Sequence, residues 1–276
     1  MKVWFITGTS RGFGREWAQA ALDRGDSVAA TARNAGSLAE LVEKYGDRIL
    51  PIALDVTDRE AVFAAVAQAK ERFGRIDIAI NNAGYGHFGA IEEATEAEAR
   101  AQLETNVFGA LWVTQAVLPI MREQHSGHII QVSSIGGITA FPGLGLYHAS
   151  KWALEGFSQS LAQEVAEFGI HVTLIEPTGY STDWAGDSSV HSAELPAYDH
   201  VREFNRARRA ARAGYSGDPE ATREAILTVV DAEQPPLRIF FGRGPLETAK
   251  ADYESRIATW EAWREVSEAA HGHELG

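Results

Sequence analysis

Tyr147 and Lys151 stand four residues apart in Tyr147-His148-Ala149-Ser150-Lys151, and Ser134 lies a short way upstream. Positions i and i+4 share one face of a helix, so this spacing sets a phenol beside an ammonium. The ammonium favours the phenolate, and the expectation is a tyrosine pKa below the ordinary value of roughly 10. A tyrosine tuned this way gives or takes a proton at a carbonyl or alcohol oxygen. Ser134 follows the apolar run Ile129–Val132, which reads as a buried strand, and strand ends in open α/β sheets are where ligands bind. Alone, a Tyr-x-x-x-Lys pair is weak evidence: a packed tyrosine beside a solvated lysine has the same pattern.

The start of the chain adds to it. The β-branched and aromatic run Lys2–Ile6 leads into Thr7-Gly8-Thr9-Ser10-Arg11-Gly12-Phe13-Gly14, and a helical pattern follows to about Arg24. Glycines let a backbone approach a pyrophosphate, and a helix N-terminus offers it free N–H groups and the positive end of a dipole. The spacing Gly-x-x-x-Gly-x-Gly differs from the commoner Gly-x-Gly-x-x-Gly.

Strand-like runs recur at Lys2–Ile6, Ser27–Ala32, Ile49–Leu54, Ile76–Ile80, His128–Val132, His171–Ile175 and Leu237–Phe241. Helical stretches separate them: Gly14–Arg24, Ser37–Tyr45, Arg59–Phe73, Ala97–Gln124, Ala149–Glu167 and Pro219–Asp231. The alternation predicts an α/β fold, one doubly wound domain over residues 1–276 with a seven-stranded parallel sheet and helices on both faces. Two regions break the alternation. Residues 182–217 carry Trp184, Tyr198, Phe204 and an arginine-rich run at 206–212; following the sixth strand, they are expected to form a lid over a substrate pocket. Residues 245–276 form a charged helical extension, with Trp260 and Trp263 expected to pack onto the body or onto another subunit.

Of the 276 residues 45% are apolar, enough for a substantial core, and the absence of cysteine excludes disulfides and thiolate metal sites. A net charge of −13 argues against nucleic-acid or anionic-membrane partners. No stretch approaches the length of a membrane span, and Met1 runs directly into the first strand, so the expectation is a cytoplasmic enzyme without a secretory signal. No metal site is expected.

These residues together resemble the short-chain dehydrogenase/reductase family in its single-domain, Rossmann-type form. Thr7–Gly14 looks like its cofactor turn, Asn81-Asn82-Ala83-Gly84 like its Asn-Asn-Ala-Gly motif, Asn106 like its helix asparagine, and Ser134, Tyr147 and Lys151 like its catalytic set. Pro177-Thr178-Gly179-Tyr180-Ser181-Thr182 resembles Pro-Gly-x-Val-x-Thr, with Thr178 in place of glycine and Tyr180 in place of a smaller residue. The resemblance implies hydride transfer between a nicotinamide and a carbonyl or carbinol carbon. Tyr147 would be the general acid or base. Lys151 would lower its pKa and hold the ribose, Ser134 would polarise the carbonyl, and Asn106 would serve a proton relay. It implies cofactor contacts from Gly8, Ser10, Arg11, Gly12, Phe13, Gly14, Asp55, Val56, Asn82, Ala83, Gly84, Pro177, Gly179, Tyr180 and Thr182. Asp55 has a second reading, as a cap of the next helix. The second strand ends without a carboxylate, at Arg33-Asn34; Arg33 pairs with a 2′-phosphate where an acid would repel it, and Arg11 offers a second cation, so NADP(H) is expected.

His87, Ile135, Gly136, Phe141, Leu144, Tyr180 and Trp184 are expected near the substrate, favouring a hydrophobic ketone or secondary alcohol over a small charged acid. The alternatives are a sugar or acyl-thioester reductase, or a nucleotide-sensing protein on the same scaffold. The resemblance also implies a homodimer or homotetramer paired through the helices at 97–124 and 149–167, whose apolar residues include Val113, Val117 and Leu161.

Overall fold

The computed structural model describes residues 1–181, 189–211, 214 and 216–272. Its elements in chain order are β1 (Val3–Ile6), α1 (Gly12–Asp23), β2 (Ser27–Ala32), α2 (Ala39–Tyr45), β3 (Ile49–Ala53), α3 (Arg59–Phe73) and β4 (Ile78–Asn81). There follow β5 (His87–Phe88), α4 (Glu96–Leu103), α5 (Ala110–Gln124), β6 (Gly127–Val132), α6 (Gly145–Glu164) and β7 (Ile170–Pro177). The chain continues through β8 (Val190–His191), α7 (Asp199–Ala211), α8 (Thr222–Asp231), β9 (Arg238–Phe241), α9 (Pro245–Ala262) and α10 (Arg264–Ala269).

Seven strands form one parallel sheet in the order β3-β2-β1-β4-β6-β7-β9, as the alternation predicts. Side chains on a strand alternate between faces, and β1 shows why both must be apolar. Trp4 and Ile6 join a core with Trp17, Leu22, Leu41 and Ile226 from α1, α2 and α8. Phe5 joins the other core, with Val62 and Val66 of α3, Val113 and Val117 of α5, and Leu161 of α6. Even the buried indoles are satisfied, Trp4 Nε1 donating to Asp26 and Trp17 Nε1 to Thr222.

The chain reverses direction across the sheet between β1 and β4, so the loops after β1, β2, β3, β4, β6 and β7 open towards one crevice.

Two expected helix bounds are corrected, and one of two alternatives for the extension is removed. The stretch read as one helix at 97–124 is α4 and α5 joined by a π-helical turn, Glu104–Gly109. Helix α6 begins at Gly145, not at Ala149, so Tyr147 sits in its first turn. The tryptophans of the extension do not pack on the body: Trp260 and Trp263 are each 64% exposed. Thr182, Trp184 and Arg212 lie outside the described residues. Among the described residues no helix is long and apolar enough to cross a membrane, and no cluster of His, Asp or Glu has the make-up of a metal site.

Candidate active site

The glycine-rich turn is tied to the next strand before anything binds to it. Asn82 Nδ2 donates to the carbonyls of Thr7 (2.9 Å) and Gly8 (3.0 Å), and the amides of Asn82 and Ala83 both donate to Thr7 Oγ1 at 3.0 Å. Gly8 and Gly12 have φ of +68° and +57°, where a side chain is strained. Gly14 is required for another reason: a Cβ there would run into Gly8 O and Asn82 Nδ2. It lies beneath the turn and keeps α1 close to it, while Gly8, Ser10, Arg11, Gly12 and Phe13 face the crevice.

That crevice is a cavity of about 900 Å³. Arg33 after β2, Asp55 and Val56 after β3, and Asn82, Ala83 and Gly84 after β4 line one part of it. Ser134, Ile135, Gly136, Phe141, Leu144, Tyr147, Lys151, Pro177, Gly179 and Tyr180 line the rest. Asp55 does not cap α3. Its carboxylate accepts from the amide and hydroxyl of Thr57, while Asp58 caps the helix by accepting from Ala61 N.

Where β6 meets α6, Ser134 Oγ accepts from Gly136 N at 3.0 Å, which closes the turn after β6 and fixes the hydroxyl. The side chain of Ser134 is hydrogen-bonded to that of Tyr147. Lys151 Nζ donates to Val132 O at 2.7 Å and lies 5.7 Å from the centre of the Tyr147 ring. Both residues are buried, and burial outweighs their proximity. The Tyr147 phenol is pushed up to about 12 by loss of solvent, against a smaller downward pull from Ser134. The Lys151 ammonium is pushed down to about 8 by the same cause. The expected lowering of the tyrosine pKa is therefore not what this structure provides: desolvation disfavours both charged forms at once.

Asn106 sits in the π-helical turn, an irregularity frequent at functional sites. Its Oδ1 accepts from Tyr85 N, and its Nδ2 donates to Tyr85 O (3.1 Å) and Ser150 Oγ (3.0 Å). A Cβ on Gly84 would come within 3.1 Å of Asn106 Oδ1 and 3.8 Å of Lys151 Nζ. Asn106 thus ties the loop after β4 to α6, beside Lys151.

His87 is misplaced by the sequence reading. It is buried, does not line the cavity, and bonds through Nε2 to Ser192 Oγ at 3.0 Å. It belongs to a small parallel pair, β5 with β8, and strand alternation turns its neighbour Phe88 into the cavity instead.

Sequence reasoning also passed over His148. Its Nε2 accepts from Phe141 N at 2.9 Å, so Nδ1 carries the proton donated to Gly136 O at 2.8 Å. Burial lowers its pKa, and the neutral ring braces both ends of the 136–141 loop. Tyr85, Phe88, Val190, Asn205, Arg208 and Arg209 also line the cavity. Only the i, i+3, i+4 spacing of the last three could have signalled a shared face.

A buried pair of carboxyls stands behind the site. Arg238 Nε is 2.8 Å from Glu155 on α6 and 3.5 Å from Glu176 on β7. One oxygen of each carboxyl is buried with no donor, and the two side chains bond to one another. Burial, and then the neighbouring Glu155, push the Glu176 carboxyl up.

The family model for short chain dehydrogenase matches residues 2–192. The chain is 47% identical to oxidoreductase BOA17 of Botryotinia fuckeliana over 271 residues, covering 98% of this chain and 99% of that protein. It is 37% identical to a 3-ketodihydrosphingosine reductase of Bacteroides thetaiotaomicron over 245 residues, covering 87% and 88% respectively. The crystal structure of a short-chain dehydrogenase from Streptomyces avermitilis superposes with a TM-score of 0.91 at 40% identity, covering 98% of this chain and all of that one.

Proposed function

From the premise that this chain belongs to the short-chain dehydrogenase family, we propose that it is an NADP(H)-dependent oxidoreductase acting on a hydrophobic ketone or secondary alcohol. The observation that carries this is the Ser134–Tyr147 hydrogen bond beside buried Lys151, in the same cavity as the glycine-rich turn.

The cavity fits a dinucleotide. The turn, α1 and the close packing of Gly8 against Gly14 provide the cradle. Gly8, Ser10, Gly12 and Phe13 would hold the pyrophosphate, Asp55, Val56 and Asn82–Gly84 the adenosine side, Tyr147 and Lys151 the ribose, and Pro177–Tyr180 the nicotinamide. When bound, the nicotinamide supplies or accepts the hydride.

The side chains supply the rest. Tyr147, protonated up to about pH 12, is a proton donor to a carbonyl oxygen at neutral pH. Ser134 is held by Gly136 N so that its hydroxyl remains directed to the same oxygen. Lys151, with a pKa of about 8, exchanges its own proton readily near neutrality, and Asn106 completes the relay beside it. Phe88, Ile135, Phe141 and Leu144 give the substrate an apolar bed, in keeping with the keto lipid named for the Bacteroides relative. Helix α7, in the described part of the region expected to be a lid, acts as that lid.

Arg33 carries the NADP(H) assignment, with Arg11 alongside. Both line the cavity, and no carboxylate closes β2. Arg33→Asp is expected to move the ratio of kcat/KM for NADPH over NADH by about 10–100-fold towards NADH, the scale of a lost charge-assisted contact. An unchanged ratio sinks the assignment. The reading includes a cytoplasmic setting.

We also propose that the enzyme is a homo-oligomer with α9 and α10 of one copy covered by a second. Val113, Val117 and Leu161 are spent on the sheet core and are unavailable to an interface. From Ile257 to Gly272 every residue is exposed, and Tyr253, Ile257 and Trp260 follow one helical stripe, with Trp263 beyond. Aromatics of roughly 150–250 Å² each give two such arms on the order of 1,000 Å², the threshold for a stable interface.

A further inference from the structure

Helix α7 forms part of the roof of the cavity, and two of the three residues it turns inward are cationic. Asn205, Arg208 and Arg209 are spaced i, i+3, i+4 on one face, and all three line the cavity that holds Ser134 and Tyr147. Asn205 Nδ2 donates to Pro142 O at 2.9 Å, which docks the helix on the 141–144 loop. The Arg208 guanidinium lies over the Phe141 ring, 4.1 Å from its centre. Phe141 meets His148 edge-on at 5.6 Å, and His148 is the next residue after Tyr147. Arg208 is therefore reached from the catalytic phenol through two rings, on the substrate side.

Not every arginine of this helix serves the same end. Arg202 is consumed by the fold, bonded to Glu93 (2.6 Å) and Asp199 (2.7 Å) and near Glu194. Arg209 makes no ion pair among the described residues, and Arg208 is held over the Phe141 ring. A guanidinium so held loses little freedom when it takes a carboxylate. The setting sharpens the point: the chain carries a net charge of −13, whose field repels an anion unless local cations reverse it.

Resting on the oxidoreductase reading above, we propose that the substrate is an amphipathic carbonyl compound with an anionic end. Its apolar portion lies along Phe88, Ile135, Phe141 and Leu144, and its carboxylate or phosphate is taken by Arg208 and Arg209. This narrows the hydrophobic ketone or secondary alcohol proposed above to one with an anionic end, for which the sequence offers the arginine run at 206–212 as a candidate cation.

The test compares 5-oxo-5-phenylpentanoate with its methyl ester, both with NADPH, in the wild type and in Arg208→Gln, Arg209→Gln and the double variant. The wild type is expected to favour the acid in kcat/KM, and the double variant to reduce that acid-to-ester ratio by about tenfold or more, the value of one charge-assisted bond. Added salt should reduce the same ratio in the wild type. A wild type that favours the ester, or a ratio the arginines do not alter, overturns the proposal. So does a change confined to the KM of NADPH, which assigns the two cations to the cofactor. If neither compound is turned over, calorimetric binding of the acid separates the two readings. Binding that weakens about tenfold in the double variant upholds the anion site while the hydride-transfer reading falls; binding that is equal in both proteins removes the anion site.

Discussion

Helices α6 and α9 are of similar length and lie near one another, yet they use their side chains in opposite ways. Along α6 the buried face is largely polar: Tyr147, His148, Ser150, Lys151, Glu155 and Ser158 all turn inward. Along α9 only Pro245 and Ala249 are buried, with Asp252 and Arg256 half-buried, and aromatic residues are left outside. The two meet where Arg256 lies between Trp152 and Tyr253, 4.6 Å and 5.8 Å from the ring centres. One helix places groups that prefer water in a dry interior, which alters their proton affinities. The other leaves groups that prefer a dry interior in water, which creates a demand for a partner.

The largest way to break this contrast is to remove the group whose burial does chemistry. Tyr147→Phe is expected to lower the rate of ketone reduction by about 10²–10⁴-fold while cofactor binding, read by fluorescence, is kept. In the wild type, alcohol oxidation requires the phenol to give up a proton held to about 12. That rate should climb with pH through the alkaline range, while ketone reduction near neutrality stays level. A variant that keeps full activity removes Tyr147 from the mechanism.

On the exposed helix the corresponding break is Trp260→Glu with Trp263→Glu. Each central interface aromatic is worth about 2 kcal/mol or more, so the pair should shift self-association by about 1,000-fold. Sedimentation of the wild type and the double variant reads it. A cysteine introduced at Thr259 sharpens the test, because the chain has no other thiol. An association state indifferent to both tryptophans rejects the arm as an interface.

The smallest effect lies in the carboxyl pair. Glu176 has a folded pKa raised above its unfolded one, so between the two values the folded protein binds the extra proton. The stability this contributes is complete below the unfolded pKa and is lost as pH rises through the folded one. Glu176→Gln mimics the protonated form and can still donate to Glu155. It should flatten the decline of Tm from mildly acidic to mildly alkaline pH, by a few degrees. An identical slope in both proteins shows that burial does not raise the Glu176 carboxyl.

What the sequence made legible follows from the range of each interaction. The sheet and the glycine-rich turn are written in contiguous runs, and a parallel sheet buried on both faces needs apolar residues at successive positions, as in Val3–Ile6. Ser134, Tyr147 and Lys151 were placed together because helix spacing and a strand end are local rules. His87 was not, since the strand that buries it, β8, begins about a hundred residues later. The tyrosine pKa was read in the wrong direction because spacing reports proximity and says nothing of burial. The π-helical turn at Asn106 lies inside a stretch whose pattern runs on unbroken, so the sequence shows no seam there.

The ring of Tyr180, the oversized residue of its motif, meets Phe13 edge-on with centres 4.9 Å apart. On other sides it rests against Gly217 and Gly242, where an added methyl would strike Tyr180 and Thr178 respectively. Two glycines remote in the chain thereby govern the wall that joins the phosphate cradle to the reaction centre. Attempts to evolve this enzyme towards bulkier molecules will meet their constraint there. Enlarging Gly217 drives the Tyr180 ring towards the cradle, whereas trimming Tyr180 itself opens new room and relaxes the restriction on Gly217; Gly242 stays held by Thr178 and by its φ of +106°.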